Sequence, residues 1–176
     1  MGKTSQKAIF FDRDGVLNID TGYPHKVEDC TMIDGADHAI KLVNDHGFKV
    51  FIVTNQGGIG LGLFDEAALH QFHDALLAKL TAQGGVITDI AFCPHHPKAV
   101  DAAMQDCLCR KPKPGMITTL AQRHGIEPQG SIMIGDRETD VAAGHAAGCD
   151  AYLFGGGSLY DFMKPIMDRQ HKDHNA

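Results

Sequence analysis

The sequence lacks both an excess of positive charge and any long hydrophobic run. It carries 16 Lys and Arg against 22 Asp and Glu, a formal net charge of -6 at pH 7. Such a surface has no general attraction for nucleic acid or an anionic membrane, so we expect neither as a partner. The first apolar run is broken at Asp12, which makes it too short for a secretory signal or a membrane span. These absences favour a cytoplasmic protein, and any anion site in it must carry its own local positive charge.

Repeats and low-complexity tracts are also missing, and the composition is that of an ordinary globular chain. The 176 residues are 43% hydrophobic and 22% charged, which fits one domain over residues 1–176, and we expect a monomer. Short apolar runs alternate with amphipathic segments. The runs cover residues 7–11, 48–53, 87–93, 131–134 and 151–154, and the segments cover 35–44, 66–82, 114–124 and 138–147. This alternation predicts an α/β fold, a doubly wound and mostly parallel sheet with helices on both faces.

Polar clusters follow three of the predicted strands. Asp12 and Asp14 come directly after the first, the run 54–58 (TNQGG) after the second, and Asp136 after the fourth. In a doubly wound sheet, ligands bind at the carboxyl ends of the strands, so these side chains should converge at one edge. Crowded carboxylates need a cation, and Mg²⁺ prefers such oxygen ligands. The alternative is that Asp12 and Asp14 only cap a turn, but that reading leaves the other two clusters unexplained.

The cysteines indicate a second metal site. Their number, five, is odd, which argues against a disulfide framework in a cytoplasmic chain. Cys93 lies two residues before His95, and Cys107 and Cys109 follow after a loop. Three thiolates and one imidazole form a closed tetrahedral set, typical of structural Zn²⁺. The alternatives are buried reduced cysteines with a surface histidine, or ligation by the adjacent His96.

Four segments together resemble a known family. FFDRDGVLN, VTNQGGIG, CRKPKPGM and IGDRETD are similar, in this order, to the four motifs of the haloacid dehalogenase (HAD) superfamily of phosphatases. The resemblance implies that Asp12 attacks phosphorus, and that Asp14 protonates the leaving oxygen and then activates water. It also implies Mg²⁺ on the Asp12 carboxylate, the Asp14 carbonyl and the Asp136 carboxylate. A carboxylate nucleophile divides one hard displacement into two easier ones.

The remaining motif residues would bind the phosphoryl group. Thr54 offers a hydroxyl, the Asn55 backbone offers an N–H, and the family pattern Cys-Arg-Lys-Pro makes Lys111 the phosphate lysine. Lys113 is a competitor that we interpret as a solvated lysine. Asp140, one helical turn after Asp136, would support the site without binding the metal.

Within the superfamily, the chain resembles the heptose-bisphosphate and histidinol-phosphate phosphatase branch. That branch carries a zinc loop of the form C-x-H…C-x-C, which here implies Cys93, His95, Cys107 and Cys109, within a loop over residues 93–109. The CPHHP run, the long zinc loop, CRKPKPGM and the loop after DRDG favour its heptose members. These remove the C7 phosphate of D-glycero-D-manno-heptose 1,7-bisphosphate in the synthesis of lipopolysaccharide or related glycans.

The same resemblance implies the substrate contacts and the shape of the site. The expected contacts are Asp20, Thr21, Gly22, Tyr23, Asn55, Gln56, Gly57, Arg110, Lys111 and Arg137. We expect no cap domain, so that the loop 19–29 and the zinc loop close the site.

Other functions remain as alternatives. Histidinol-phosphate phosphatase shares the motifs, and a DNA 3′-phosphatase would share DxDG and TNQ, although the negative charge counts against it. A non-catalytic zinc module would not need the acidic set. The tail, residues 163–176, is polar with His171 and His174, and we expect it to be the frayed end of a surface helix.

Overall fold

The computed structural model describes residues 6–173 and, for side chains, residues 6–170. The strands are β1 (Ala8–Phe11), β2 (Lys49–Asn55), β3 (Asp89–Cys93), β4 (Ile132–Gly135) and β5 (Asp150–Leu153). The helices are α1 (Ala36–Asp45), α2 (Glu66–Leu80), α3 (Gly115–His124), α4 (Glu138–Ala146) and α5 (Leu159–Asp173). Short 3₁₀ turns lie at Val27–Asp29 and Ala102–Met104.

The five strands form one parallel sheet in the order β3-β2-β1-β4-β5. Helices α1, α2 and α5 pack their apolar faces on one side of it, and α3 and α4 pack on the other. The predicted doubly wound α/β fold is therefore confirmed. The stretches after β1 and β3 contain only loops and 3₁₀ turns, so neither of these two described segments forms a cap domain. Among the helices described, none is long and apolar enough to cross a membrane.

The strand order creates a switch point between β1 and β4. The chain steps outward from β1 through β2 to β3, and then returns to β4 on the other side of β1. The register pairs Phe11 with Ile134, so the residues that follow these strands, Asp12 and Asp136, emerge side by side. Ligands of doubly wound sheets bind at such a point, outside the carboxyl ends of the strands.

Most differences from the predicted elements are small. Strand β2 continues through Thr54 and Asn55, so the strand itself, rather than a loop, fixes these two residues. Strand β3 begins at Asp89, two residues later than the apolar run starts.

The expectation for the tail is wrong within the described residues. Helix α5 spans Leu159–Asp173 and packs against α1, with Met163, Ile166 and Met167 buried in the core. These three apolar residues recur at helical spacing and form one face that a polar composition conceals. His174 and the side chain of His171 lie outside the described residues.

Candidate active site

A cavity of about 590 Å³ opens at the carboxyl edge of the sheet. Its walls come from the ends of β1 and β2, the loop after β1, the segment after the zinc loop, and the start of α4. Most of the expected catalytic and substrate residues line it: Asp12, Asp14, Asp20, Gly22, Tyr23, Thr54, Asn55, Gln56, Gly57, Arg110, Lys111 and Arg137. Thr21 is exposed on its loop and is not among the lining residues. The lining also includes Pro112, Glu138, Thr139 and Asp140, which the sequence analysis did not expect to contact substrate.

Asp12 lies at the centre of a buried charge cluster. Its Oδ1 accepts a hydrogen bond from Lys111 Nζ at 2.7 Å, and the same Nζ donates to Val53 O at 2.8 Å. Asp140 Oδ1 is a further partner of Lys111 Nζ, at 2.7 Å. Burial raises the pKa of Asp12 to about 7; Lys111 opposes this rise, and Asp140 adds to it. Burial works to lower the pKa of Lys111, but Asp12 and Asp140 outweigh it and raise that pKa.

A second feature of the cluster is its fit to a divalent cation. Carboxylate oxygens of Asp12, Asp136 and Asp140 lie within 4.8 Å of one another. Asp136 Oδ1 is buried without a hydrogen-bond partner, and a buried polar atom of this kind requires one. Burial raises the pKa of Asp136, and the Asp140 charge adds to the rise. The donor set and the unpaired oxygen fit Mg²⁺, which favours carboxylate ligands completed by water and phosphate.

Two glycines make this crowding possible. Gly15 has φ +84°, and a Cβ there would lie 2.2 Å from Asp136 Oδ2. A Cβ on Gly135 would lie 2.0 Å from Asp140 Cβ. At both positions a Cβ would overlap atoms of an aspartate. Only glycine therefore leaves room for the carboxylates of Asp136 and Asp140 to pack this closely.

Both oxygens of Asp140 are already engaged within the protein. Oδ1 pairs with Lys111, and Oδ2 accepts from the Arg137 backbone N–H at 3.1 Å, as part of the cap of α4. Asp140 thus holds the lysine and the helix start, in agreement with the supporting role expected from the sequence.

Asn55 fixes Lys111 from the strand. Its Oδ1 accepts from Lys111 N at 3.0 Å, and its Nδ2 donates to Lys111 O at 3.1 Å. One amide side chain therefore satisfies both backbone groups of the lysine and ties the segment after the zinc loop to the end of β2.

Asp14 is held by residues outside the charge cluster. Its carboxylate accepts from Asn18 Nδ2 at 2.9 Å and from Gln56 Nε2 at 3.1 Å, and it pairs with Arg13. Gln56 Nε2 also donates to Thr54 Oγ1 at 2.8 Å, which connects Asp14 to the expected phosphate-binding hydroxyl.

The loop 19–29 forms one wall of the cavity mouth. Asp20 Oδ2 pairs with Arg137 Nη2 at 3.0 Å, joining this loop to the start of α4. Gly22 and Tyr23 both have positive φ, 81° and 54°, which makes a tight turn at its tip. His25 stacks on Phe64, with ring centroids 4.6 Å apart, and anchors the far side.

The expected zinc ligands form a compact cluster beside the active site. Cys93 Sγ lies 3.6 Å from Cys107 Sγ and 2.9 Å from Cys109 Sγ. His95 Nδ1 lies 3.6 Å from Cys93 Sγ and 3.4 Å from Cys109 Sγ. Ligands bonded tetrahedrally at roughly 2.0–2.3 Å would lie about 3.5–3.8 Å apart, so the cluster needs only a small expansion to hold Zn²⁺. Burial raises the pKa of the Cys93 thiol, so a cation would be needed for this cysteine to act as a thiolate ligand.

The cluster of Cys93, His95, Cys107 and Cys109 leads directly into the active site. Arg110 follows Cys109, its backbone N–H donates to Cys107 Sγ at 3.3 Å, and its Nη1 donates to His95 O at 2.9 Å. The position of the Arg110 guanidinium therefore depends on the loop that the cluster folds.

The remaining expected residues lie apart from the chemistry. Lys113 is half-exposed and pairs with the exposed Asp106, as expected of a surface lysine. Cys30 and Cys149 are buried free thiols in the two core clusters.

Sequence reasoning missed two of the residues that hold Asp14. Arg13 is fully buried, and Asn18 is fully buried as well. Their positions within DRDGVLN give a local signal, because a loop that returns on itself brings Asn18 back to Asp14.

Comparison with known proteins agrees with this geometry. The HAD-hydrolase-like family model matches residues 108–161. A D-glycero-beta-D-manno-heptose-1,7-bisphosphate 7-phosphatase from Haemophilus ducreyi is 42% identical over 149 residues, 84% of this chain and 80% of that protein. A D-glycero-alpha-D-manno-heptose-1,7-bisphosphate 7-phosphatase from Photorhabdus laumondii is 38% identical over 143 residues, 81% of this chain and 78% of that protein.

A solved structure is similar over nearly the whole fold. The D,D-heptose 1,7-bisphosphate phosphatase from B. bronchiseptica, in complex with magnesium and phosphate, superposes with a TM-score of 0.81 at 30% identity. The match covers 93% of this chain and 99% of that one.

Proposed function

The chain belongs to the D-glycero-D-manno-heptose-1,7-bisphosphate 7-phosphatase family of HAD-like hydrolases, and we propose that it removes the C7 phosphate of that sugar bisphosphate with Mg²⁺ as cofactor. The observation that carries the proposal is one charge cluster at the switch point of the sheet, in which Asp12 lies beside Asp136 and pairs with Lys111. Asp12 and Lys111 also line the cavity.

Asp12 is the nucleophile of the proposed reaction. One of its carboxylate oxygens forms a bond to phosphorus while the bond from phosphorus to the C7 oxygen breaks, and Asp14 gives a proton to that oxygen. In the second step Asp14 takes a proton from water, the water oxygen bonds to phosphorus, and the bond from Asp12 to phosphorus breaks. The enzyme returns to its starting state with inorganic phosphate and the heptose 1-phosphate as products.

Charge stabilisation comes from groups that are already fixed before substrate binds. Lys111 has its ammonium held by three acceptors, so its positive charge is already in place beside the nucleophile before substrate binds. The Thr54 hydroxyl and the Asn55 N–H, both on the rigid end of β2, are the further donors. Mg²⁺ would be held by Asp12, Asp136 and the carbonyl of Asp14, and would shield the nucleophile from the anionic phosphoryl group.

The residues at the mouth of the cavity recognise the sugar. Arg110 and Arg137 supply the cationic contacts for the second phosphate and the sugar, and Asp20 and its loop contact the hydroxyls. A structural Zn²⁺ on Cys93, His95, Cys107 and Cys109 would hold the loop that carries Arg110.

A comparison of kcat/KM for two substrates tests the proposal. We expect kcat/KM for at least one anomer of D-glycero-D-manno-heptose 1,7-bisphosphate to exceed that for histidinol phosphate, with only the C7 phosphorus signal lost in ³¹P NMR. Since relatives named for either anomer match the chain, both anomers are assayed. The Asp12→Asn variant should keep its fold and zinc but lose turnover. Preference for histidinol phosphate would overturn the substrate assignment, and near-normal turnover by Asp12→Asn would overturn the nucleophile.

A further inference from the structure

Arg13 is the largest fully buried side chain in the described part of the chain, yet it takes no part in the proposed reaction steps. A guanidinium in a protein core is costly unless it is paired and hydrogen-bonded. Its position therefore requires a partner, and the partner is in the active site.

That partner is the neighbouring carboxylate. Arg13 Nε donates to Asp14 Oδ1 at 2.8 Å, and Arg13 Nη2 donates to Asp14 Oδ2 at 3.1 Å. This two-point fork fixes the plane of the carboxylate as well as its position. The guanidinium also packs on the face of the Phe72 ring, since its central carbon lies 4.4 Å from the centre of that ring.

The same guanidinium also holds the loop 19–29. Arg13 Nη2 donates to the carbonyl of Pro24 at 2.9 Å. Pro24 is buried, whereas Tyr23 before it is exposed and His25 after it is partly exposed. The carbonyl contact is thus an internal anchor for a loop whose other attachments, the Asp20–Arg137 pair and the His25–Phe64 stack, lie nearer the surface.

We propose that Arg13 is a positioning residue, which aims the Asp14 carboxylate at the leaving-group oxygen and couples it to the substrate loop through Pro24. The inference deepens the proposed function, on which it rests, because Asp14 is the proton donor there. It assigns Arg13 no contact with substrate.

Substrates with different leaving groups distinguish positioning of the proton donor from a purely structural role of Arg13. A sugar alkoxide is a strong base and needs a proton as it departs, whereas 4-nitrophenolate departs without one. General acid catalysis contributes about 10²–10⁴-fold. For Arg13→Lys, which keeps the charge but loses the fork, we expect kcat/KM to fall about 10–100-fold for the heptose bisphosphate and hardly at all for 4-nitrophenyl phosphate. Since kcat/KM reports the steps up to release of the alcohol, water activation does not enter the comparison.

The controls separate this effect from general damage. Arg123→Lys makes the same exchange at a half-exposed surface pair with Asp89 and should change neither substrate. In an Asp14→Asn background, followed by the burst of alcohol release, Arg13→Lys should cause no further loss, because the group that it positions is gone. Equal losses for both substrates, or a full additional loss in that background, would overturn the assignment.

Two other outcomes are also decisive. If the wild-type chain hydrolyses histidinol phosphate but not the heptose bisphosphate, the proposed substrate fails, and the Arg13 comparison is made with that alkyl ester instead. If Arg13→Lys does not fold, the wild-type chain is used. Its Arg13 Nε–H NMR signal should shift when heptose 1-phosphate binds but not with inorganic phosphate alone, and the absence of any shift would contradict the coupling.

Discussion

Replacing Lys111 by methionine should damage both stability and catalysis, because two buried carboxylates depend on one ammonium group. Lys111 is 4% exposed, and its Nζ contacts Asp12 and Asp140 at 2.7 Å each and Val53 O at 2.8 Å. Methionine fills similar space but leaves both carboxylates without their cation. Removal of one partner from a buried ion pair costs about 3–5 kcal/mol. We therefore expect the free energy of unfolding of the Mg²⁺-free protein, measured by urea denaturation, to fall by about this amount.

The loss in activity has a separate origin. Without its ammonium group, the phosphoryl site lacks one fixed charge, and removal of a single preorganised donor typically lowers the rate about 10²–10³-fold. We expect kcat/KM to fall by this factor even with saturating Mg²⁺, whereas Mg²⁺ should restore part of the lost stability by screening the carboxylates.

Lys113→Met is the matched control, two residues away. Its lysine is half-exposed, pairs with the exposed Asp106 and donates to the Cys107 carbonyl, all away from Asp12, so we expect little change in unfolding free energy and far less loss of kcat/KM than in Lys111→Met. The reasoning is refuted if Lys113→Met is the inactive variant, or if Lys111→Met unfolds with the wild-type free energy.

Three further predictions concern His73, Gly15 and Cys107. Burial lowers the pKa of His73 to about 3 from 6.5, with the Arg13 charge adding to this, so the unfolded chain takes up a proton that the folded chain does not. The free energy of unfolding should therefore fall by about 1.4 kcal/mol for each pH unit between pH 6.5 and pH 3. In His73→Phe, unfolding measured over the same pH range should show a smaller dependence on pH. Gly15→Ala should raise the Mg²⁺ concentration for half-activity by displacing Asp136, whereas Gly47→Ala, with φ +81° and open space around it, should leave that concentration unchanged. Cys107→Ser should release one equivalent of zinc and raise KM for the bisphosphate through Arg110, and unchanged zinc content by atomic absorption would contradict it.

The sheet and the acidic site could be predicted because both follow local rules. Apolar runs of strand length alternate with amphipathic segments, and polar residues stand where three of those runs end, so the carboxyl edge was visible in the sequence. The choice of Lys111 over Lys113 required the family motif, since both are lysines beside a proline in the same segment.

The missed residues depend on tertiary packing. Arg13 lies between two acids in a polar stretch, and nothing local indicates that its guanidinium is covered by Phe72. His73 did leave a signal, because it lies on the stripe of α2 that also buries Leu69, Leu76 and Leu80. The prediction of a frayed surface helix for the tail was wrong because the tail is polar overall, and its buried apolar residues lie on one face of the helix.

The central claim is that the Asp12 carboxylate becomes phosphorylated, and trapping the resulting acyl phosphate tests it most directly. Wild-type protein is mixed with heptose bisphosphate carrying a labelled C7 phosphate and Mg²⁺, quenched in acid within one turnover, digested, and mapped by mass spectrometry. We predict a hydroxylamine-sensitive phosphate on the peptide that contains Asp12, and none in Asp12→Asn. Full turnover with an unlabelled Asp12, or a label on another residue, would contradict the account.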